Sequence, residues 1–213
     1  AALSGEHLTD INKRALLIGA VSCSALYQLG SGFYENIFPL WAAHFNVVSG
    51  PRGMLPMFFV SGLSYVLVQA LVIGRLARSH QEKKLLQIAA LLLIVATYGM
   101  TIAGEHASAG AAIALMGLTA CCAGIIFTCA QTLISLCAAP ASRGLVLGLA
   151  SSLGMLGKTA ATALSGVLFS HVAYQSPYYA AALTATLLLV VASTLRDGSD
   201  EQAESQLNKE LVS

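Results

Sequence analysis

Lys158 lies roughly 15 residues into an apolar stretch that opens at Gly144, about 22 Å from its start by helical rise. A lysine at that depth in hydrocarbon costs a few kcal/mol, so it must face a polar cavity or a countercharge. Snorkelling to an interface, or a purely structural ion pair, is the plainer alternative. Ser151, Met155, Lys158, Thr162 and Ser165 recur at spacings of four, three, four and three, which places them on one helical face. A matching stripe, Ser24, Gln28, Ser31 and Glu35, runs along an earlier apolar stretch. Glu35 falls about 30 Å from Arg14, near the far boundary, where a carboxylate costs less. Two expectations follow for it. Either Glu35, or a group from outside the chain, pairs with Lys158 and gates that side, or Glu35 is simply solvated at the interface.

Weaker candidates are Thr128, Gln131, Thr132 and Ser135 on one stretch, and Ser61, Ser64, Tyr65 and Gln69 on another. Either set suits hydrogen bonding to a substrate, although such groups more commonly bond across helices. The expected cavity lining is therefore Lys158, Ser151, Thr162, Ser165, Gln28, Ser31, Glu35 and Gln131, with His106 and His171 solvated at loop ends. Nothing points to catalysis. Ser165 and His171 share one stretch but lie on different faces, and neither HExxH nor a GK[ST] phosphate loop is present. The five cysteines all sit in apolar runs without CxxC or metal-ligand spacing, so they read as packing residues; no metal or cofactor is expected.

These residues must be positioned by membrane helices. The 213 residues are 56% apolar and 10% charged with mean hydropathy +0.74, against about 25% charged in soluble domains. A formal charge of +1 gives no reason to expect a nucleic-acid partner. About 20 apolar residues cross a bilayer as a helix, and six stretches qualify: Ala15 to His44, Gly53 to Ala77, Lys84 to Gly104, Ala109 to Ala138, Gly144 to His171 and Pro177 to Leu195. The domain reading is a linker or truncated N-terminus over 1–13, a transmembrane domain over 14–196 and a polar tail over 197–213.

Lys13, Arg14, Arg75, Arg78, Lys83, Lys84, Arg143, Arg196 and Lys209 fall on one side and Arg52 alone on the other, nine against one. Cytoplasmic loops carry the excess of Lys and Arg, so both termini are expected there, in a plasma or organelle membrane. Tyr34, Trp41, Tyr178 and Tyr179 then fall toward the outer interface, which favours amphipathic rings. Gly144, Gly148, Gly154 and Gly157 offer close helix packing, the first two as GxxxG. The third and sixth stretches are the most uniformly apolar, hence peripheral. The order thus reads as two triplets of helices, the second inverted.

The run Gly74-Arg75-Leu76-Ala77-Arg78-Ser79-His80-Gln81-Glu82-Lys83-Lys84 resembles the short basic loop G-x-L-a-D-r-x-G-r-[RK] of major facilitator transporters, with Arg78 in place of the Asp and Gln81 in place of the second Gly. Phe33-Tyr34-Glu35-Asn36-Ile37-Phe38-Pro39-Leu40-Trp41, and Arg143-Gly144-Leu145-Val146-Leu147-Gly148, look like the drug:proton antiporter branch. The resemblance implies the C-terminal six-helix half of a transporter that works by alternating access. Its partners would be the lipid bilayer, a small-molecule substrate, protons or another coupling ion, and an N-terminal six-helix half. A non-transporting scaffold subunit with a transporter-like half is the alternative.

Overall fold

A computed structural model describes residues 2–48, 50–79 and 82–195. The expected polar tail, and His80 and Gln81 of the basic loop, lie outside the described residues. Seven helices follow one another: α1 (Ala2–Tyr34), α2 (Phe38–His44), α3 (Gly50–Ser79), α4 (Glu82–Glu105), α5 (Ala109–Cys137), α6 (Arg143–His171) and α7 (Ser176–Thr194). Six segments are long and apolar enough to cross a membrane, and no strand occurs among the described residues. The chain is an integral, multi-pass, all-helical membrane protein.

The first apolar stretch differs from its expected form. It is interrupted: α1 ends at Tyr34, Glu35 to Ile37 form a turn, and α2 carries the chain on to His44. The amide of Glu35 still donates to the Ser31 carbonyl at 3.0 Å. Pro39, with no N–H to give, then occupies the first turn of α2, where that amide has no helical partner anyway. At its other end α1 begins at Ala2, so the residues before Lys13 are part of the same helix.

Helix contacts interleave the two triplets. The closest packings are α1 with α6, α4 with α5, α3 with α5, α1 with α7 and α4 with α7, whereas α5 and α6 barely touch. Exchanging the triplets (α1 for α5, α3 for α6, α4 for α7) turns the α1–α6 packing into α5–α3 and the α5–α4 packing into α1–α7. That correspondence is what two inverted three-helix repeats require. The middle helix of each triplet leaves its own neighbours and packs on the first helix of the other.

Burial within the chain is uneven among the described residues. Only 6% of the α3 span and 17% of the α6 span are buried, against 44% for α4 and 39% for α7. The greasiest helices pack on each other and on α5 and α1, while α3 and α6 present bare apolar faces through Phe59, Leu67, Leu149 and Leu156.

The aromatic expectation also changes. Trp41, Tyr178 and Tyr34 are all buried, and only Tyr179 is exposed. Trp41 meets Tyr178 at 5.3 Å between ring centroids, stacks with Phe38 at 5.9 Å and tilts against Phe45 at 5.6 Å. A core at this end of the bundle thus replaces an interfacial belt. A second core, around Cys23, Leu86, Ile126 and Leu188, fills the opposite end. Cys23, Cys122 and Cys129 are buried, as packing residues should be.

α1 and α6 approach most closely at Gly32. A side chain there would collide with the carbonyl oxygen of Lys158 and come within 2.9 Å of the Ala161 methyl. Gly154 serves the same contact, since a Cβ would stand 2.9 Å from Gln28 Cγ, and Gly157 lies in ordinary contact with Leu29. At Gly144 and Gly148, by contrast, nothing among the described residues outside the helix's own backbone lies within 4 Å of a Cβ. Gly32→Val should force the two backbones apart and destabilise the fold by about 1–3 kcal/mol, read as a lower melting midpoint of detergent-solubilised protein. Gly110→Val, which meets open space, should stay within about 0.5 kcal/mol.

Candidate functional site

The close approach at Gly32 sets two charged groups face to face. Lys158, midway along α6, donates through Nζ to Glu35 Oε2 at 2.5 Å. Their side chains are 27% and 35% exposed, so the pair is neither sealed in the core nor free in solvent. Glu35 sits in the turn just past α1, and the ammonium therefore also faces the negative end of the α1 dipole. The carboxylate is the countercharge that a lysine at this depth requires.

A second rung stands one turn further along α6. Asn36 Nδ2 donates to Thr162 Oγ1 at 3.0 Å, and Thr162 Oγ1 donates to the Gly32 carbonyl at 3.2 Å. Asn36 and Gly32 were not among the expected lining residues, Asn36 entering only as part of the segment 33–41. The signal that was available was the polar pair Glu35-Asn36 three residues before Pro39, which marks a helix break more plainly than a continuous span.

The polar stripes divide. On α1, Ser24 and Ser31 are buried, the latter donating to the Gln28 carbonyl at 3.0 Å, so neither faces open space. Gln28 is half-buried against Gly154. On α6, Ser151 and Met155 lie exposed, Lys158 and Thr162 lean on α1, and Ser165 is buried and bonded to the Thr162 carbonyl. Of the expected lining, then, Glu35, Lys158 and Thr162 meet directly, whereas Ser31 and Ser165 are buried in packing, as is Ser24 of the same stripe. His171 and His106 are exposed at loop ends.

Gln131 belongs to a different place. Where α5 and α6 part, a cavity of about 440 Å³ opens between α3, α5 and α6, bordered by Gln69, Thr128, Gln131 and Ser135 together with Phe127 and Leu147. Gln69 Nε2 donates to the Tyr65 hydroxyl at 3.1 Å. Gln131 Nε2 is buried without a hydrogen-bond partner among the described residues. Leu147 and Lys158 stand 11 positions apart on α6, so the cavity and the ion pair are separated by about 16 Å along that helix.

Of the basic-loop residues, Gly74, Arg75 and Arg78 belong to the last turns of α3, where side-chain placement lies outside the description. Lys83 and Lys84 open α4. No cluster of three or more His, Cys, Asp or Glu able to hold a metal occurs among the described residues.

Residues 20–212 match the family model described as Major Facilitator Superfamily. Solute carrier family 22 member 18 of Rattus norvegicus is 26% identical over 161 residues, covering 73% of this chain. The chain spans 38% of the length of that relative. No solved structure matches. With six membrane-crossing helices in two inverted triplets, and a family match over nearly all of them, the chain belongs to the major facilitator superfamily.

Proposed function

We propose that this chain forms one half of a secondary active transporter that moves a small solute or drug-like molecule by alternating access. The observation that carries this reading is the half-buried Glu35–Lys158 pair. It joins a broken helix of the first triplet to an unbroken helix of the second, at a point where the backbones touch. Such a pair makes a latch: intact, it holds the α1–α2 break against α6; opened, it frees that end of α1 to move.

Charge chemistry makes the latch switchable. A proton delivered to Glu35 removes the countercharge of Lys158 and leaves an ammonium that must find water or another anion. Protons are therefore a fitting coupling ion, in keeping with the resemblance of the segment 33–41 to drug:proton antiporters. The excess of Lys and Arg at the opposite end supports cytoplasmic termini and a latch toward the outer side.

A second six-helix half fits the bare faces. α3 and α6 are long, apolar and scarcely covered within the chain, and Gly144 and Gly148 of α6 meet open space. A partner helix laid there would use the small residues that α1 does not. The name of the rat relative places it among solute carriers, which agrees with transport and leaves the solute open.

Cells expressing the intact protein and loaded with fluorescent amphipathic dyes test the proposal. Lys158→Ala should abolish dye transport while surface expression stays normal. Glu35→Lys and Lys158→Glu should each fail singly, and the double exchange should recover part of the activity. Thr162→Val, which removes the second rung and keeps the charges, should slow transport several-fold without abolishing it. Unchanged transport in Lys158→Ala would sink the latch, and defects confined to assembly would favour a scaffold.

A further inference from the structure

The cavity between α3, α5 and α6 is bordered by hydrogen-bonding groups as well as apolar side chains. We infer that it is a binding site for a neutral amphipathic molecule bearing a strong hydrogen-bond acceptor, the substrate class of the proposed transporter; this rests on the transport reading. Three observations lead there. The first is size, because about 440 Å³ falls within the range of about 300–1,000 Å³ that holds drug-sized ligands.

The second is the make-up of the wall. Thr128, Gln131 and Ser135 of α5 recur at spacings of three and four, so one face of that helix offers amide and hydroxyl groups. Gln69 adds a carbonyl oxygen from α3, its Nε2 being engaged by Tyr65. Phe127 and Leu147 supply an apolar floor. None of the described residues bordering the cavity is charged, and the intramembrane lysine is paired with Glu35, about 16 Å away along α6. A ligand carrying a fixed charge would bring it to a place without a countercharge, which is costly. A neutral ligand meets no such obstacle.

The third observation is the unmet amide. Gln131 Nε2 is buried and lacks a partner among the described residues, and unmet buried donors are uncommon in settled structures. The terminal torsion of a glutamine is soft, so a small rotation turns this amide into the cavity. There a carbonyl or phosphoryl oxygen of a ligand satisfies it.

Three phenyl-bearing probes separate the possibilities: triphenylphosphine oxide, with three rings, is neutral with a strong acceptor, whereas tetraphenylphosphonium and tetraphenylborate, with four rings each, are a cation and an anion. Saturable binding to the intact protein in lipid nanodiscs, corrected with empty discs, is the readout. The oxide should bind at least tenfold more tightly than either ion. Gln131→Leu should weaken it by about fivefold, the share of one hydrogen bond, with an unchanged melting midpoint. Should that variant fail to fold, Thr128→Val replaces it, with a loss of at least twofold expected. Tighter or equal binding of either ion, or oxide affinity untouched in a folded variant, overturns the inference. Oxide binding by a protein that transports nothing would overturn the transport reading alone, and dye transport without oxide binding would overturn this inference alone.

Discussion

Hydrocarbon offers no hydrogen-bond partner, and that single deprivation organises the molecule. Backbone groups answer it by forming helices. Side-chain hydroxyls answer it locally: Thr97 donates to the Leu93 carbonyl, Thr119 to Met116, Thr132 to Thr128 and Thr184 to Ala181, each within its own helix. These groups are satisfied before any neighbour arrives, and so they contribute little to which helix packs on which. Shape decides that, through glycine at the closest approach and interlocked rings at the Trp41 end. Against this background the polar contacts that do cross between α1 and α6 stand apart. Lys158 to Glu35, Asn36 to Thr162 and Thr162 to the Gly32 carbonyl all lie within two turns of helix.

Deprivation also explains what the sequence reveals. A span is a length of residues without charge, and five of the six spans match the helices of the structure to within about three residues at each end. Helix pairing is another matter, because it depends on which small residue meets which backbone. GxxxG at Gly144 and Gly148 marks a face capable of close packing, yet the chain leaves that face open and uses Gly32 and Gly154. Composition alone cannot distinguish a tyrosine in a belt from one in a core. Tyr178 and Trp41 have the amphipathic character of interfacial residues, and what buries them is each other.

The candidate site was legible in part for the same reason. An ammonium inside a long apolar stretch is conspicuous because it violates the rule the rest obeys, and helical spacing then assigns Thr162 to its face. Glu35 was recognisable as a partner by type, though its place on a helix break was not, because hydropathy averages across Glu35-Asn36-Ile37 and ignores Pro39. Periodicity further treated Ser24, Ser31 and Ser165 as equals of Lys158. Burial separates them: a hydroxyl bonded to its own helix is content in a packed interface, whereas a charge needs a partner and some water. Gln69, Thr128, Gln131 and Ser135 were legible as hydrogen-bonding groups, but the cavity they border was not, since it exists only because α5 and α6 part, and no local pattern encodes a gap between helices.

The latch and the cavity share one mechanical element on the transport reading. α6 runs unbroken from Arg143 to His171, carrying Lys158 at its middle and Leu147 on the cavity wall near its start. A helix with an intact hydrogen-bond ladder moves as a rod, so a displacement at one point is delivered at the other. α1 lacks that continuity at Glu35, which makes it the compliant member of the pair. Breaking the ion pair therefore leaves a stiff α6, held by little besides α1 within the chain, free to tilt and change the width of the cavity. Conversely, a ligand that draws α5 and α6 together shifts Lys158 against Glu35. Coupling between an ion-sensitive latch and a neutral binding site then needs no charge on the ligand, only a rigid helix touching both.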